Sequence, residues 1–164
     1  MFADYPLKTS AEAVRDDLAR ARLSAVQEGV EYHFRAEPGG GHWVVVPGER
    51  DVAGSPDAAP AYVPVRSGTL ASGVTFLAAD QATPAAGAAG GTLDPALFAG
   101  LPDAAMLAGL RWADPVVFLP DGTAVAGAVA VGDEDGRMLR VGVRPLTGAA
   151  TVGAVEASPA GGSR

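Results

Sequence analysis

Apolar residues recur at Leu7, Ala11, Val14, Leu18, Ala21 and Ala25. At about 100° per residue these positions fall on one narrow stripe, which predicts an amphipathic helix over 9–28 with that stripe as its packing face. Thr9-Ser10-Ala11-Glu12 fits a capping box, with the Thr9 hydroxyl taking an orphan backbone N–H and Glu12 reaching back. Gly29 is a natural stop. Asp16 and Arg20, four residues apart, form a favourable pair along the exposed side. Leu23 and Val26 leave the stripe and share the face of Arg15, Asp16, Arg20 and Arg22. They read either as tolerated surface apolar residues or as a second contact face used against a partner helix.

Beyond Gly29 the period changes to two. Val30, Tyr32 and Phe34 alternate with Glu31, His33 and Arg35, Pro38-Gly39-Gly40-Gly41 interrupts, and His42-Trp43-Val44-Val45-Val46 follows. This is the pattern of a β-hairpin with a glycine-rich turn. Tyr62-Val63-Pro64-Val65 reads as a weak strand, placed at an edge by Pro64. Gly73 to Leu77 reads as another strand. Residues 79–105 are rich in Ala, Gly and Pro without a clear period, so the expectation is a long surface insertion with a helical turn near 95–98 or 104–107. Strands return at 115–119, 124–131, 138–143 and 150–155, separated by Pro120-Asp121-Gly122-Thr123, Asp133-Glu134-Asp135-Gly136 and Thr147-Gly148. In the first of these turns proline presets φ, aspartate caps locally and glycine permits positive φ.

One helix followed only by strands predicts an α+β fold, with the helix on an antiparallel sheet of six to eight strands. The expected organisation is a single domain over 1–157, with its sheet over 30–156, and a disordered tail over 158–164. A length of 164 residues suits one core, and 48% hydrophobic against 19% charged residues describes a globular chain. Aromatic residues make up only 6%, so that core rests on Val, Leu and Ala. A net charge of −7 without a basic stripe removes the electrostatic footprint of a nucleic-acid binder. The absence of cysteine excludes disulfides, thiolate zinc sites and cysteine nucleophiles. No apolar run approaches the ~18 residues of a membrane span.

The order of parts resembles the H-type minor pseudopilins of type II secretion and their fimbrial relatives of type IV pili. Five segments carry the resemblance: the helix end Asp17 to Gly29, the hairpin Val30 to Val46, Gly73-Val74-Thr75-Phe76, Phe118-Leu119-Pro120-Asp121-Gly122, and Leu146-Thr147-Gly148. The resemblance implies a pilin-like fold and a non-enzymatic subunit of a type II secretion or type IV pilus-like filament. Its implied partners are other pseudopilins and secreted cargo, and its implied place is the periplasmic face of the inner membrane. No cofactor follows from it. Family members open with a cleaved leader and a membrane-embedded helix, neither of which this chain carries, so the expectation is a truncated chain holding the soluble body. The alternative is a soluble α+β binding module, for a ligand or a protein, with no filament role.

Catalytic signatures are lacking. There is no Gly-x-Ser-x-Gly elbow, no His-Glu-x-x-His and no P-loop. Gly39-Gly40-Gly41 joins two strands, not a strand to a helix, so it is no phosphate cradle. Two groups remain as chemistry to weigh. His33 and His42 lie on the paired strands of the hairpin and would form a metal site with Glu31 only if the register set them opposite each other. Asp133-Glu134-Asp135 gathers three carboxylates in one turn, which is either a hard-cation site or a solvated turn. On balance the expectation is no catalytic residue and no metal.

Overall fold

A computed structural model describes residues 5–48, 65–77, 91–125 and 127–157. The expected strand over 62–65, apart from Val65, lies outside the described residues, as do 79–90 of the expected insertion and the 158–164 tail. The fold is pilin-like α+β: one long helix, α1 (Tyr5–Glu28), packs on antiparallel sheets.

Helix α1 forms because its stripe finds a core. Leu7, Ala11, Val14, Leu18, Ala21 and Ala25 are all completely buried. The helix is already formed at Tyr5, so the capping box expected at Thr9 does not exist. Pro6 is tolerated in the first turn, where its missing N–H is not needed, and Leu7 extends the stripe one turn back. Ser10 is buried within the helix, and its Oγ accepts the Ala71 N–H at 3.4 Å. Asp16 pairs with its neighbour Arg15 at 3.3 Å, and Arg20 reaches Asp17 at 4.0 Å, so the expected Asp16–Arg20 pair is replaced on both sides. Gly29 ends the helix at φ 68°, its N–H bonded to the Ala25 carbonyl.

The described strands number ten and divide into two sheets of five. In sheet A the order is β3 (Arg66–Thr69), β2 (His42–Pro47), β1 (Tyr32–Ala36), β5 (Val116–Phe118), β6 (Ala124–Val125). Sheet B runs β10 (Glu156–Ala157), β8 (Arg137–Val143), β7 (Ala128–Asp133), β4 (Val74–Phe76), with β9 (Ala150–Val152) also paired to β8. The stretch expected as one return strand over 124–131 is thus two: β6 closes sheet A, and after Gly127 the chain enters sheet B as β7. The sheets are joined where the glycine-rich turn meets β4: Gly39 N–H donates to the Phe76 carbonyl and Phe76 N–H to the Gly40 carbonyl, both at 2.8 Å.

Both sheets share the core under α1. Tyr32, Phe34, Trp43 and Val45 of sheet A meet Phe76, Val131, Leu139 and Val141 of sheet B in one apolar cluster with the helix stripe. Phe34 stacks on Trp43 with ring centroids 5.7 Å apart and meets Phe76 edge-on at 6.4 Å. A second cluster lies on the other face of sheet A. Val44 and Val46, which point away from α1, are covered by Leu93, Phe98, Leu107 and Trp112. Phe98 comes from a 3-10 turn (Pro95–Phe98) and Leu107 from a short helix, α2 (Ala104–Gly109), while Leu93 and Trp112 flank the two. Both expected helical turns exist, and from residue 91 onward the segment builds a small core instead of a loose surface loop.

Candidate functional site

The helix stripe leaves the opposite side of α1 free. Leu23 and Val26 are 51% and 45% exposed there, beside the C-terminal end of the helix. Two turns pack against that end. In Pro120-Asp121-Gly122 the Leu119 carbonyl accepts the Gly122 N–H at 2.9 Å, and Gly122 takes φ 89°. The Asp121 carboxylate accepts the Thr123 N–H at 2.9 Å and the Thr123 hydroxyl at 2.6 Å. Those bonds from Thr123 hold the Asp121 carboxyl below its ordinary range. In Leu146-Thr147-Gly148 the Arg144 carbonyl accepts the Gly148 N–H at 2.7 Å, with Gly148 at φ 65°. Leu146 projects into solvent and is 88% exposed.

The two turns, distant in sequence, form one unit. Ala124 N–H donates to the Pro145 carbonyl at 2.8 Å. Arg22 Nε–H donates to the Gly122 carbonyl at 3.0 Å and ties the unit to α1. Gly148 lies so close that a Cβ there would sit 2.4 Å from the Gly122 oxygen and 2.7 Å from Arg22 Cδ. Glycine at 148 is therefore required twice, for its left-handed φ and for the approach of the other turn. Sequence reasoning singled out both turns for their local chemistry. It had no signal for Arg22, whose partner is a backbone carbonyl on another element.

The remaining candidates separate. Strand register sets His33 opposite Val46 and His42 opposite Thr69, so the two histidines do not converge. Each pairs with its own glutamate instead: His33 Nε2 with Glu31 and His42 Nδ1 with Glu37, both at 2.7 Å. In the acidic turn, Asp133 is satisfied by the Asp135 N–H at 3.1 Å, the Arg137 N–H at 3.0 Å and the Arg137 guanidinium at 2.7 Å. Burial opposes the charge on Asp133, but the Arg137 contacts outweigh it and hold the carboxyl below the ordinary range. Asp133 and Asp135 are thus both committed to Arg137. Among the described residues no group of three or more His, Cys, Asp or Glu is placed to hold a metal ion. Trp43 and Trp112 are both buried and belong to the core.

Two further groups carry shifted acidity. Burial, then the Glu28 carboxylate that accepts its hydroxyl, pushes the Tyr32 phenol well above its ordinary value. Burial raises Asp17, partly offset by Arg20 and Arg66. Asp17 lies on α1 in a groove of about 650 Å³ that also takes in β3 and α2. No helix among the described residues is long and apolar enough to cross a membrane.

No family model matches the chain, and no curated protein matches it in sequence. Its fold is similar to that of the minor pseudopilin EpsH from the Type 2 Secretion System of Vibrio cholerae. The two are 14% identical and superpose with a TM-score of 0.50 over 92% of this chain and 96% of that chain. The likeness is one of fold, and it gives the helix-on-two-sheets arrangement a pseudopilin-like counterpart.

Proposed function

We propose that this chain is a non-enzymatic structural subunit of a pilin-like filament of the type II secretion or type IV pilus kind. The observation that carries the reading is the two-sided helix. One face of α1 is fully buried, while the opposite face keeps Leu23 and Val26 open beside two turns locked in place by Arg22. A helix with a second apolar face suits packing against the helix of another subunit. The pseudopilin-like fold supports the same reading. In this role the subunit stands at the periplasmic face of the inner membrane. Its partners are other pseudopilins of the filament, and the outward sheets meet neighbouring subunits or secreted cargo. His33, His42, Asp133 and Asp135 are each paired with a neighbouring charged side chain, which favours a mechanical part.

The chain has no cysteine, so a single introduced thiol reports its own contact. Leu23→Cys and Val26→Cys, made in the full-length gene product and expressed with its secretion machinery, are expected to cross-link to a second pilin-like subunit. Thr151→Cys on β9 serves as a position off the helix. Cross-links that are absent at 23 and 26, or no stronger there than at 151, would overturn the proposal.

A further inference from the structure

The groove beside β3 has an unusual wall. Ser67, Gly68 and Thr69 all line it, although neighbours along a strand point to opposite faces. Gly68 has no side chain to contribute. Further lining residues come from both sides of sheet A, among them Asp17, Arg20 and Trp43 from the α1 side, and Leu101, Asp103 and Met106 from the α2 side. The groove therefore runs along the edge of the strand and not over one face of it.

The ladder shows what that edge offers. Leu70 N–H donates to the Gly41 carbonyl at 2.8 Å, which closes that pair. Closed and open pairs alternate along an antiparallel ladder. Given the register, Trp43/Gly68 and Val45/Arg66 are closed, whereas His42/Thr69 and Val44/Ser67 are open. The N–H and C=O groups of Ser67 and Thr69 therefore point away from β2, into the groove. Strand β3 ends sheet A among the described residues, and both Ser67 and Thr69 are exposed. The Trp43 indole lies flat on the strand, so close that a Cβ at Gly68 would be 2.5 Å from Cζ2.

Charge and polarity differ between the two sides. On the α1 side two guanidinium groups, Arg20 and Arg66, face one carboxylate, Asp17. Arg66 Nη2 is shut off from water and has no hydrogen-bond acceptor among the described residues, a state that an added carboxylate would relieve. On the α2 side Leu101, Met106 and Leu107 are apolar, with Met106 43% exposed, and Asp103 at the start of α2 is the charged residue of that side.

We propose that the β3 edge is a docking site for an extended polypeptide strand of a partner protein, with alternating acidic and apolar residues. The incoming strand hydrogen-bonds Ser67 and Thr69, as in other strand additions to a free sheet edge. Its acidic residues turn toward Arg20 and Arg66, and its apolar residues turn toward α2. The site adjoins the exposed helix face, sharing Arg20 with it, and stands whether or not the chain enters a filament.

The probe is the peptide acetyl-Thr-Glu-Leu-Glu-Val-Thr-amide, titrated into the whole chain by calorimetry, with tryptophan emission as a second readout of Trp43. Saturable binding is expected. Replacing both glutamates by lysine is expected to weaken it by at least about tenfold. N-methylation of alternate peptide amides is expected to abolish it. Ser67→Pro removes an outward N–H that the β2–β3 ladder does not use, and proline is tolerated at such an edge position. That variant is expected to lose binding while keeping its melting temperature. Should Ser67→Pro fail to fold, the N-methylated peptide decides the question. Absence of saturable binding at millimolar peptide would overturn the proposal. So would equal affinity for the lysine or N-methylated peptides, or unchanged binding by folded Ser67→Pro.

Discussion

Sheet A carries an apolar cluster on each face, and the two are built differently. Toward α1, Val45 and Trp43 enter a core that draws on both sheets and the whole helix stripe. On the other side, Val44 and Val46 meet a small cluster supplied almost entirely by residues 93–112. The first core gathers residues from elements that are remote in sequence. The second covers the sheet with one local segment, in which α2 is only six residues long and has no side-chain cap. Its Trp112 indole N–H is buried without a hydrogen-bond acceptor among the described residues, an arrangement that weakens the site that holds it. The contrast teaches that the main core sets global stability, while the second cluster is a cooperative unit able to open by itself.

The largest effect is expected in the main core. Leu18→Ala leaves a cavity under the helix and should destabilise by about 3 kcal/mol, lowering amide-exchange protection in both sheets together. Trp112→Ala removes a larger side chain, yet its loss of protection should concentrate in 93–112, with β7 and β8 nearly unchanged. Equal loss of protection in β7 and β8 for the two variants would break the division into a global core and a local one.

Next in size is the turn unit at the end of α1. Gly148→Ala puts a Cβ at a left-handed position and 2.4 Å from the Gly122 oxygen, so a cost of about 2 kcal/mol in chemical denaturation is expected. A neutral Gly148→Ala would mean that the two turns separate without consequence, and that Arg22 does not bind them as one unit.

Smaller effects are expected from single charged groups, with a sign that depends on position. Asp133 is held below the ordinary carboxylate range. Its contribution is present above the unfolded aspartate value and is lost as pH falls through the lower folded value. Asp133→Asn should cost about 1 kcal/mol at neutral pH and flatten the acid limb of the stability curve. Asp17 is raised, so stability falls as pH rises from the unfolded aspartate value through the folded one, and Asp17→Asn should remove that fall. Identical pH profiles for the two variants would refute the assignment.

The smallest effect on stability belongs to the free face of α1. Leu23→Ser and Val26→Ser should each stay within about 0.5 kcal/mol of the parent chain, measured by thermal melting. A larger loss would place these residues in the fold, contrary to their exposure.

Much of this architecture was readable from the chain because it rests on short-range regularities. The helix stripe, the hairpin at 32–47 and the turns at Gly122, Gly136 and Gly148 follow from periodicity and from glycine at positive φ. The chain start of the helix was misread because Thr9 and Glu12 match a cap locally, while burial of Leu7 under the sheets favours a longer helix. Whether the two histidines meet was left open for a similar reason. A hairpin sequence does not state its register, and the register observed sends His33 and His42 to different partners.

What the sequence by itself determined is the amphipathic helix, the succession of strands and the chemistry of each turn, because neighbouring residues alone decide these. Only the tertiary structure decided that the strands form two sheets, that 91–112 builds a second core, and that Arg22 clasps two remote turns. It also decided that β3 is an edge strand among the described residues, beside a charged and apolar groove. Those outcomes depend on which surfaces meet between segments remote in sequence, and the free energy of that meeting is not written into any local pattern.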